Sequence, residues 1–384
     1  MGTTQLYAAR HLLYPLVPLY RLALALREFR LRSGMEPVHR LRYPVVSIGN
    51  LSTGGSGKTP LTIALAQALT ARGLQVDMLS RGYGRKSPLA ARVDPDCRAE
   101  TFGDEPLLIA RETGLPVYVA SQRYQAGLLA EKYLSMQSEG LSQMKGTGFS
   151  QMKGTGFSPY INENEQTRAL APEARTPALP PPFVHLLDDG FQHRQLARDV
   201  DILLLNRRDW QDSLLPAGNL REPLKAIRRA GVIAIPADDP ELESELRTWG
   251  WLGPLWRLRR KMEIPPVNGP VAAFCGIAHP EQFFAGLEAA GCKLTLRRAF
   301  PDHFPYTRAV LEEMRTKARA AGATALITTE KDWVRLGKFT SVFSESLPLI
   351  AAHLQIEIEA QDTALDWLVN RLSLSPPHFT TVVD

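Results

Sequence analysis

An α/β fold, built on a doubly wound and mostly parallel sheet with a second, smaller α/β domain, is what three features of the sequence predict. The apolar run Val45-Val46-Ser47-Ile48-Gly49-Asn50 passes through a glycine-rich loop straight into a helix start at Lys58-Thr59-Pro60. Short apolar runs then alternate with helical segments as far as Pro236, the pattern of parallel strands joined by crossover helices. After a charged, tryptophan-containing stretch the alternation restarts at Val271. These shifts divide the chain into an N-terminal region (1–42), a larger domain (43–236) and a smaller one (237–384).

Composition sets the outer bounds. With 384 residues, 44% of them hydrophobic and 22% charged, the chain has material for two cores and is not a disordered polymer. Cys97, Cys275 and Cys292 are far apart and form no C-x-x-C pair, so neither a disulfide framework nor a zinc site is indicated, and a reducing cytoplasm fits. The net charge of +5 favours anionic partners. Nucleic acid is not among those expected, because aromatic residues do not interleave with the basic ones and no reading helix is recognisable.

The N-terminal region is apolar and then basic. His11 to Tyr20 and Leu22 to Leu26 lead into Arg27, Arg30, Arg32, Arg40 and Arg42. Arg21 interrupts the run and no small-residue cleavage site follows, which argues against a signal peptide. A helix over residues 12–26 reaches only about 22 Å, short of the roughly 30 Å hydrocarbon core. Two readings stay open: a helix lying in an anionic membrane interface, and a helix packed on the protein's own core.

The next stretch, Ser52-Thr53-Gly54-Gly55-Ser56-Gly57-Lys58-Thr59, reads as a phosphate-binding loop and makes the fold P-loop NTPase-like. Glycines let backbone N–H groups turn inward around a polyphosphate, and the helix that follows points its positive end at the same anion. Lys58 is placed to reach the β- and γ-phosphates of ATP, and the Thr59 hydroxyl to hold Mg²⁺. The G-x-x-x-x-G-K-[ST] template has glycine where this chain has Ser52, and Gly54 and Gly55 compensate.

Leu61 to Leu69 continues as a helix, Val76 to Ser80 as a strand, and Arg81-Gly82-Tyr83-Gly84-Arg85-Lys86 as a basic glycine loop at a strand end, where open α/β sheets bind ligands. Gly103-Asp104-Glu105-Pro106 opens a helix, with helix N-capping as the ordinary role for Asp104. Val117 to Ala120 is a strand. Residues 135–182 break the rhythm: the octapeptide Ser142 to Phe149 is repeated as Ser150 to Phe157, and a proline cluster follows, which reads as a flexible surface insertion. Strand character returns at Phe183 to Asp188 and ends in Asp188-Asp189. A carboxylate at that strand end can hold Mg²⁺ or its waters. Beyond it come a strand at Asp201 to Asn206, a loop through Leu215 to Pro223 and a strand at Val232 to Pro236. The smaller domain offers strands at Val271, Leu294, Ala325 and Leu349, helices at Pro280 to Ala290 and Thr307 to Ala321, and one histidine, His303, in a proline-bounded turn.

Seven motifs in order, Gly49 to Pro60, Ser80 to Gly84, Gly103 to Pro106, Asp188 to His193, Leu220 to Pro223, Phe300 to His303 and Thr328 to Asp332, resemble the tetraacyldisaccharide 4'-kinase (lipid A 4'-kinase) family over almost the whole chain. The resemblance implies ATP-dependent phosphorylation of the 4'-hydroxyl of a tetraacyldisaccharide 1-phosphate, giving lipid IV-A. It implies a peripheral enzyme on the cytoplasmic face of the inner membrane, whose apolar, basic N-terminus meets an anionic membrane surface. It assigns Lys58 as the loop lysine, Thr59 and Asp188 as metal ligands, Asp104 as the base and His303 as its partner. Glu105, Asp189, His193, Arg221 and Glu222 then line the site. A carboxylate oriented by a histidine is also what a weakly nucleophilic sugar hydroxyl needs as phosphoryl transfer proceeds. The loop further resembles that of chromosome-partitioning switch ATPases, but their signature lysine is replaced here by Thr53.

Overall fold

The computed structural model describes residues 12–55, 57–85, 87–144, 182–343 and 347–373. In chain order the strands are β1 (Val45–Asn50), β2 (Gln75–Ser80), β3 (Ala91–Arg92), β4 (Val117–Val119), β5 (Phe183–Asp188), β6 (Val200–Leu204), β7 (Val232–Pro236), β8 (Leu255–Glu263), β9 (Val271–Cys275), β10 (Leu294–Ala299), β11 (Ala325–Thr329) and β12 (Leu349–Ile358). The helices are α1 (Val17–Arg32), α2 (Lys58–Ala71), α3 (Ala99–Phe102), α4 (Asp104–Thr113), α5 (Arg123–Met144), α6 (Arg207–Gln211), α7 (Pro240–Thr248), α8 (Pro280–Ala289), α9 (Arg308–Ala320), α10 (Glu330–Leu336) and α11 (Gln361–Ser373).

All the strands join one sheet in the order β10-β9-β11-β12-β8-β7-β6-β1-β5-β2-β4-β3. Every pairing is parallel except β3 with β4 and β8 with β12. Strand β1 is buried along its whole length between β5 and β6, as expected of a central parallel strand covered on both faces. Ile48 pairs with Asp188, so the chain leaves β1 for the glycine loop at the same edge where β5 delivers Asp188 and Asp189. Helix α2 packs Leu61, Leu65 and Leu69, spaced four apart, onto Val46, Ile48 and Leu186.

The smaller set of strands is not a separate sheet. β8 pairs with β7 through Leu255 to Leu258 and then with β12, which in turn continues into β11, so a two-stranded antiparallel ribbon carries the sheet from one half to the other. Sequence reading gave no strand at β8 and ended β12 at Ala352. Beyond Leu258 the β8 half has little buried face and is held by backbone pairing, whereas the β12 half buries alternate residues, Ile356 and Ile358, in the core.

Helix α5 runs to Met144, so residues 135–144, expected within the insertion, are helical instead. Residues 145–181, with nearly all of the repeated octapeptide, lie outside the described residues.

The two faces of α1 meet different surroundings, one packing on the protein's own core as one reading expected and the other facing solvent. Val17 is buried, and Tyr20 and Leu24 pack against the core formed by Leu51, Phe191, Leu203 and Leu220. Tyr20 donates its hydroxyl to Arg221 O at 2.9 Å. Leu19, Leu22, Leu26 and Phe29 face solvent. No helix among the described residues is long and apolar enough to cross a membrane.

Candidate active site

The phosphate loop is braced from outside. Thr53 N donates to Asn219 O at 2.8 Å and Ser52 bridges to Leu220, so the loop through Leu215 to Pro223 fixes its near side. Gly54 at φ +110° and Gly57 at φ +90° use the left-handed region that favours glycine. Gly57 is the N-cap of α2, and Lys58 and the buried Thr59 open the helix, as expected of a loop that delivers N–H groups and a dipole to one anion. Gly55 lies in the same turn, and Ser56 lies outside the described residues. Lys58 Nζ donates to Asn50 Oδ1 at 3.0 Å and lies 3.5 Å from Asp189 Oδ1.

Two adjacent carboxylates at the end of β5 are driven in opposite directions. Asp188 accepts a hydrogen bond from Thr62 Oγ1 at 3.3 Å, and burial, with repulsion from Glu105 and Asp189, pushes its pKa up to about 7. Asp189 is also opposed by burial, but Lys58, Arg221 and Arg123 outweigh it and hold the carboxyl well below the usual range. Arg221 reaches Asp189 through Nη2 at 3.0 Å and Nη1 at 3.2 Å, and also donates to Asn50 Oδ1 at 2.5 Å. Asn50 therefore joins Lys58 and Arg221 at one oxygen. Glu222 pairs with Arg229 at 2.7 Å. His193 is kept neutral, its pKa lowered to about 3 by burial and by Arg123, Arg198, Arg27 and Arg81.

The second cluster joins the two halves of the chain. Gly103, at φ +93°, occupies the N-cap of α4, so Asp104 is the first helical residue and not the cap. Its Oδ2 accepts from Arg335 Nε at 2.7 Å and meets His303 Nδ1 at 3.1 Å, while Oδ1 accepts from Glu105 N at 3.1 Å. Burial opposes ionisation of Asp104, but the His303 hydrogen bond and the charge of Arg335 hold it well below the usual carboxylate range. The same bond raises the pKa of His303, which sits at φ +57° with its ring 5.4 Å from that of Tyr83. Arg335 is itself fixed by Gly276 O at 2.5 Å and by Asp332 Oδ1 at 3.0 Å. Asp332 is anchored by Thr329 Oγ1 at 2.6 Å and Tyr306 Oη at 2.9 Å. Beside this group Lys331 Nζ donates to Glu105 Oε1 at 2.5 Å.

Sequence reasoning did not single out Asn50, Lys331, Arg335 or Arg123. A signal existed for three of them: Asn50 stands inside the quoted Gly49 to Pro60 motif, Lys331 inside the Thr328 to Asp332 motif, and Arg335, four residues on, shares its helix face.

A phosphate loop, a strand-end aspartate and a cross-chain carboxylate–histidine pair are the features of a phosphoryl-transfer site. The family model for tetraacyldisaccharide-1-P 4'-kinase matches residues 9–373. The chain belongs to that family. A tetraacyldisaccharide 4'-kinase from Koribacter versatilis is 34% identical over 366 residues, covering 92% of this chain and 97% of the relative. One from an Anaeromyxobacter species is 36% identical over 344 residues, covering 83% and 79%. The crystal structure of LpxK from Aquifex aeolicus in complex with ATP superposes with a TM-score of 0.67 at 30% identity, over 95% of this chain and 99% of that one. The kinase is therefore an ATP-dependent enzyme of lipid A biosynthesis, and a chromosome-partitioning switch ATPase is not favoured.

Proposed function

We propose that this kinase transfers the γ-phosphoryl group of ATP to the 4'-hydroxyl of a tetraacyldisaccharide 1-phosphate, with Asp104 and His303 as one proton-accepting unit. The observation that carries the reading is the 3.1 Å contact between Asp104 and His303 across the two halves of the chain. It lies near enough to the phosphate loop that Asp188 feels Glu105, Lys58 and Lys331 together. Residues 43–236 and 237–384 act as two lobes, and their approach assembles the base.

The cations around Asp104 keep it ionised and ready to accept a hydrogen bond from the sugar hydroxyl. Triphosphate charge beside it raises its basicity, so proton acceptance strengthens as transfer proceeds. His303 orients the carboxylate through Nδ1, and Lys58 leaves Asn50 for the β- and γ-phosphates. Gly54, Gly55, Ser56, Gly57 and Thr59 supply the cradle, with Ser52 and Thr53 at its base.

The donor set suits Mg²⁺. Asp188 and Thr59 offer hard oxygens, and a buried carboxylate whose pKa is already raised gains from a divalent cation. Mg²⁺ held by Asp188 and Thr59 would supply positive charge to offset the charge developing on the transferring phosphoryl group. Glu105, Asp189, His193 and Arg221 support this arrangement, and Glu222 does so from behind through Arg229.

The exposed Leu19, Leu22, Leu26 and Phe29, with Arg21, Arg30 and Arg32 beside them, suit an anionic surface, so the enzyme sits peripherally on the cytoplasmic face of the inner membrane. Incubation with γ-labelled ATP and tetraacyldisaccharide 1-phosphate in detergent tests the reading. Label in the lipid at the 4' position is expected; ATP hydrolysis with unlabelled lipid would contradict it.

A further inference from the structure

Helix α2 begins at Lys58 with no acidic residue in its first turn, and across the site Lys58 Nζ lies 3.5 Å from Asp189 Oδ1. A second cation is directed to the same point from the other half of the chain. Arg260 stands on β8, in the ribbon that joins the halves, opposite Ile356 of β12. A methyl group added at Gly57 would lie 3.2 Å from Arg260 Nη2 and 3.8 Å from its Cζ. Glycine at 57 thus serves twice: it adopts a positive φ, and its missing side chain leaves room for the guanidinium over the loop.

The guanidinium is oriented rather than loosely placed, because Nη1 donates to Gln282 Oε1 of α8 at 3.1 Å. That bond turns Nη2 toward the loop. The same half overlies the loop at a second point: a methyl at Gly54 would lie 3.6 Å from both Ala278 Cβ and His279 Nε2, and His279 Nδ1 is 2.8 Å from Arg208 Nη1. Asp189 lies near Lys58 and Asp238 acts on Arg260, and a polyphosphate lying against the helix end, the lysine and the guanidinium would be attracted by all three. The planar fork of arginine matches phosphate oxygens, and a guanidinium supplied from a separate element can stabilise the charge of a transferring phosphoryl group.

We infer that Arg260 is a direct ligand of the ATP polyphosphate, supplied to the phosphate loop by the smaller half of the chain and aimed by Gln282. This rests on the kinase reading above, and it adds a residue that neither the loop motif nor the acceptor cluster contains. In this assignment the loop alone is an incomplete phosphate site. It reaches full affinity only when β8 presents its arginine.

The test compares Arg260→Gln, Arg260→Lys and Lys58→Ala with the wild type, measuring calorimetric binding of ATP and of adenosine, turnover, and melting temperature. Arg260→Gln should weaken ATP binding by about ten- to a hundredfold, the scale of a charge-assisted hydrogen bond. Adenosine binding and melting temperature should hardly change. Arg260→Lys, which keeps the charge and loses the fork, should fall between. Gln282→Ala should weaken ATP binding less than Arg260→Gln, since it only releases the aim. Equal ATP affinity in Arg260→Gln and wild type would overturn the assignment, as would a loss shared by ATP and adenosine or one that follows melting temperature. Lys58→Ala separates the two readings: if it weakens ATP binding and Arg260→Gln does not, only Arg260 falls; if neither does, the phosphate loop falls as well.

Discussion

The phosphate loop and the Asp104 cluster, which we propose serve one reaction, are built in opposite ways. The loop is one contiguous stretch between β1 and α2, and its main instrument is backbone: N–H groups, positive-φ glycines and a helix end. The cluster is built mainly from side chains, with Asp104 and Glu105 from α4, Lys331 and Arg335 from α10, and His303 from a turn far along the chain. Removing one side chain from the loop leaves its architecture standing. Removing one from the cluster leaves a buried partner without its counter-charge, so rate and stability should separate in the first region and move together in the second.

The largest effect on rate is expected in the loop. Lys58→Ala should lower turnover by at least about a hundredfold, the scale of losing a transition-state electrostatic partner. Its melting temperature should stay close to that of the wild type. Turnover near the wild-type level would remove the phosphate-loop assignment.

Arg335→Ala sharpens the contrast. The guanidinium is buried against Asp104, Asp332 and Gly276 O, and its loss strands two carboxylates, a change that typically costs about 3–5 kcal/mol. Denaturant unfolding should register that loss together with a fall in turnover. A variant slow but fully stable would mean that the cluster is less tightly coupled than its geometry says.

Asp188 gives a pH signature. Its folded-state pKa lies above the ordinary carboxylate value, so the folded protein holds the proton more tightly than the unfolded chain does. Its contribution to stability is present at low pH and is lost as pH rises through about 7. Asp188→Asn should flatten that part of the stability profile, and Mg²⁺ should bind more tightly to the wild type as pH rises toward the same value. An unchanged profile in Asp188→Asn would assign the pH dependence elsewhere.

The smallest effects lie outside both regions. Replacing Leu19, Leu22, Leu26 and Phe29 with serine should reduce cosedimentation with anionic liposomes, while folding changes little because these side chains face solvent. Undiminished cosedimentation would favour a helix that serves only the protein's own core. Excising residues 145–157 should leave detergent activity within a few-fold of wild type, since closure entropy varies slowly with loop length. Complete loss with the fold intact would give that segment a part in the reaction.

The contrast between the regions also explains how much could be read from the sequence. The loop was legible because its chemistry is local: glycines, Lys58 and Thr59 are neighbours in the chain, and Asp188 ends an apolar run that could only be a strand. The order of strands and helices was legible for the same reason, through periodicity. The β8–β12 ribbon was not, because Arg257 to Glu263 has hardly any apolar face and its partner lies far along the chain. Asp104 and His303 could be named by family likeness, but Arg335 could not, since its role depends on a helix turn that aims it at a carboxylate from another element. Asn50 looked like one more residue of a buried strand. Only the fold shows its side-chain oxygen receiving both Lys58 and Arg221.

The most direct test of the account is a double-mutant cycle on Asp104 and His303. Turnover, ATP affinity and melting temperature would be measured for wild type, Asp104→Ala, His303→Ala and the double variant. If the pair accepts the proton as one unit, each single variant loses rate and the double variant loses little more than the worse single one, with ATP affinity nearly constant. Losses in turnover that add across the two sites would contradict the claim that this contact between the two halves is the base.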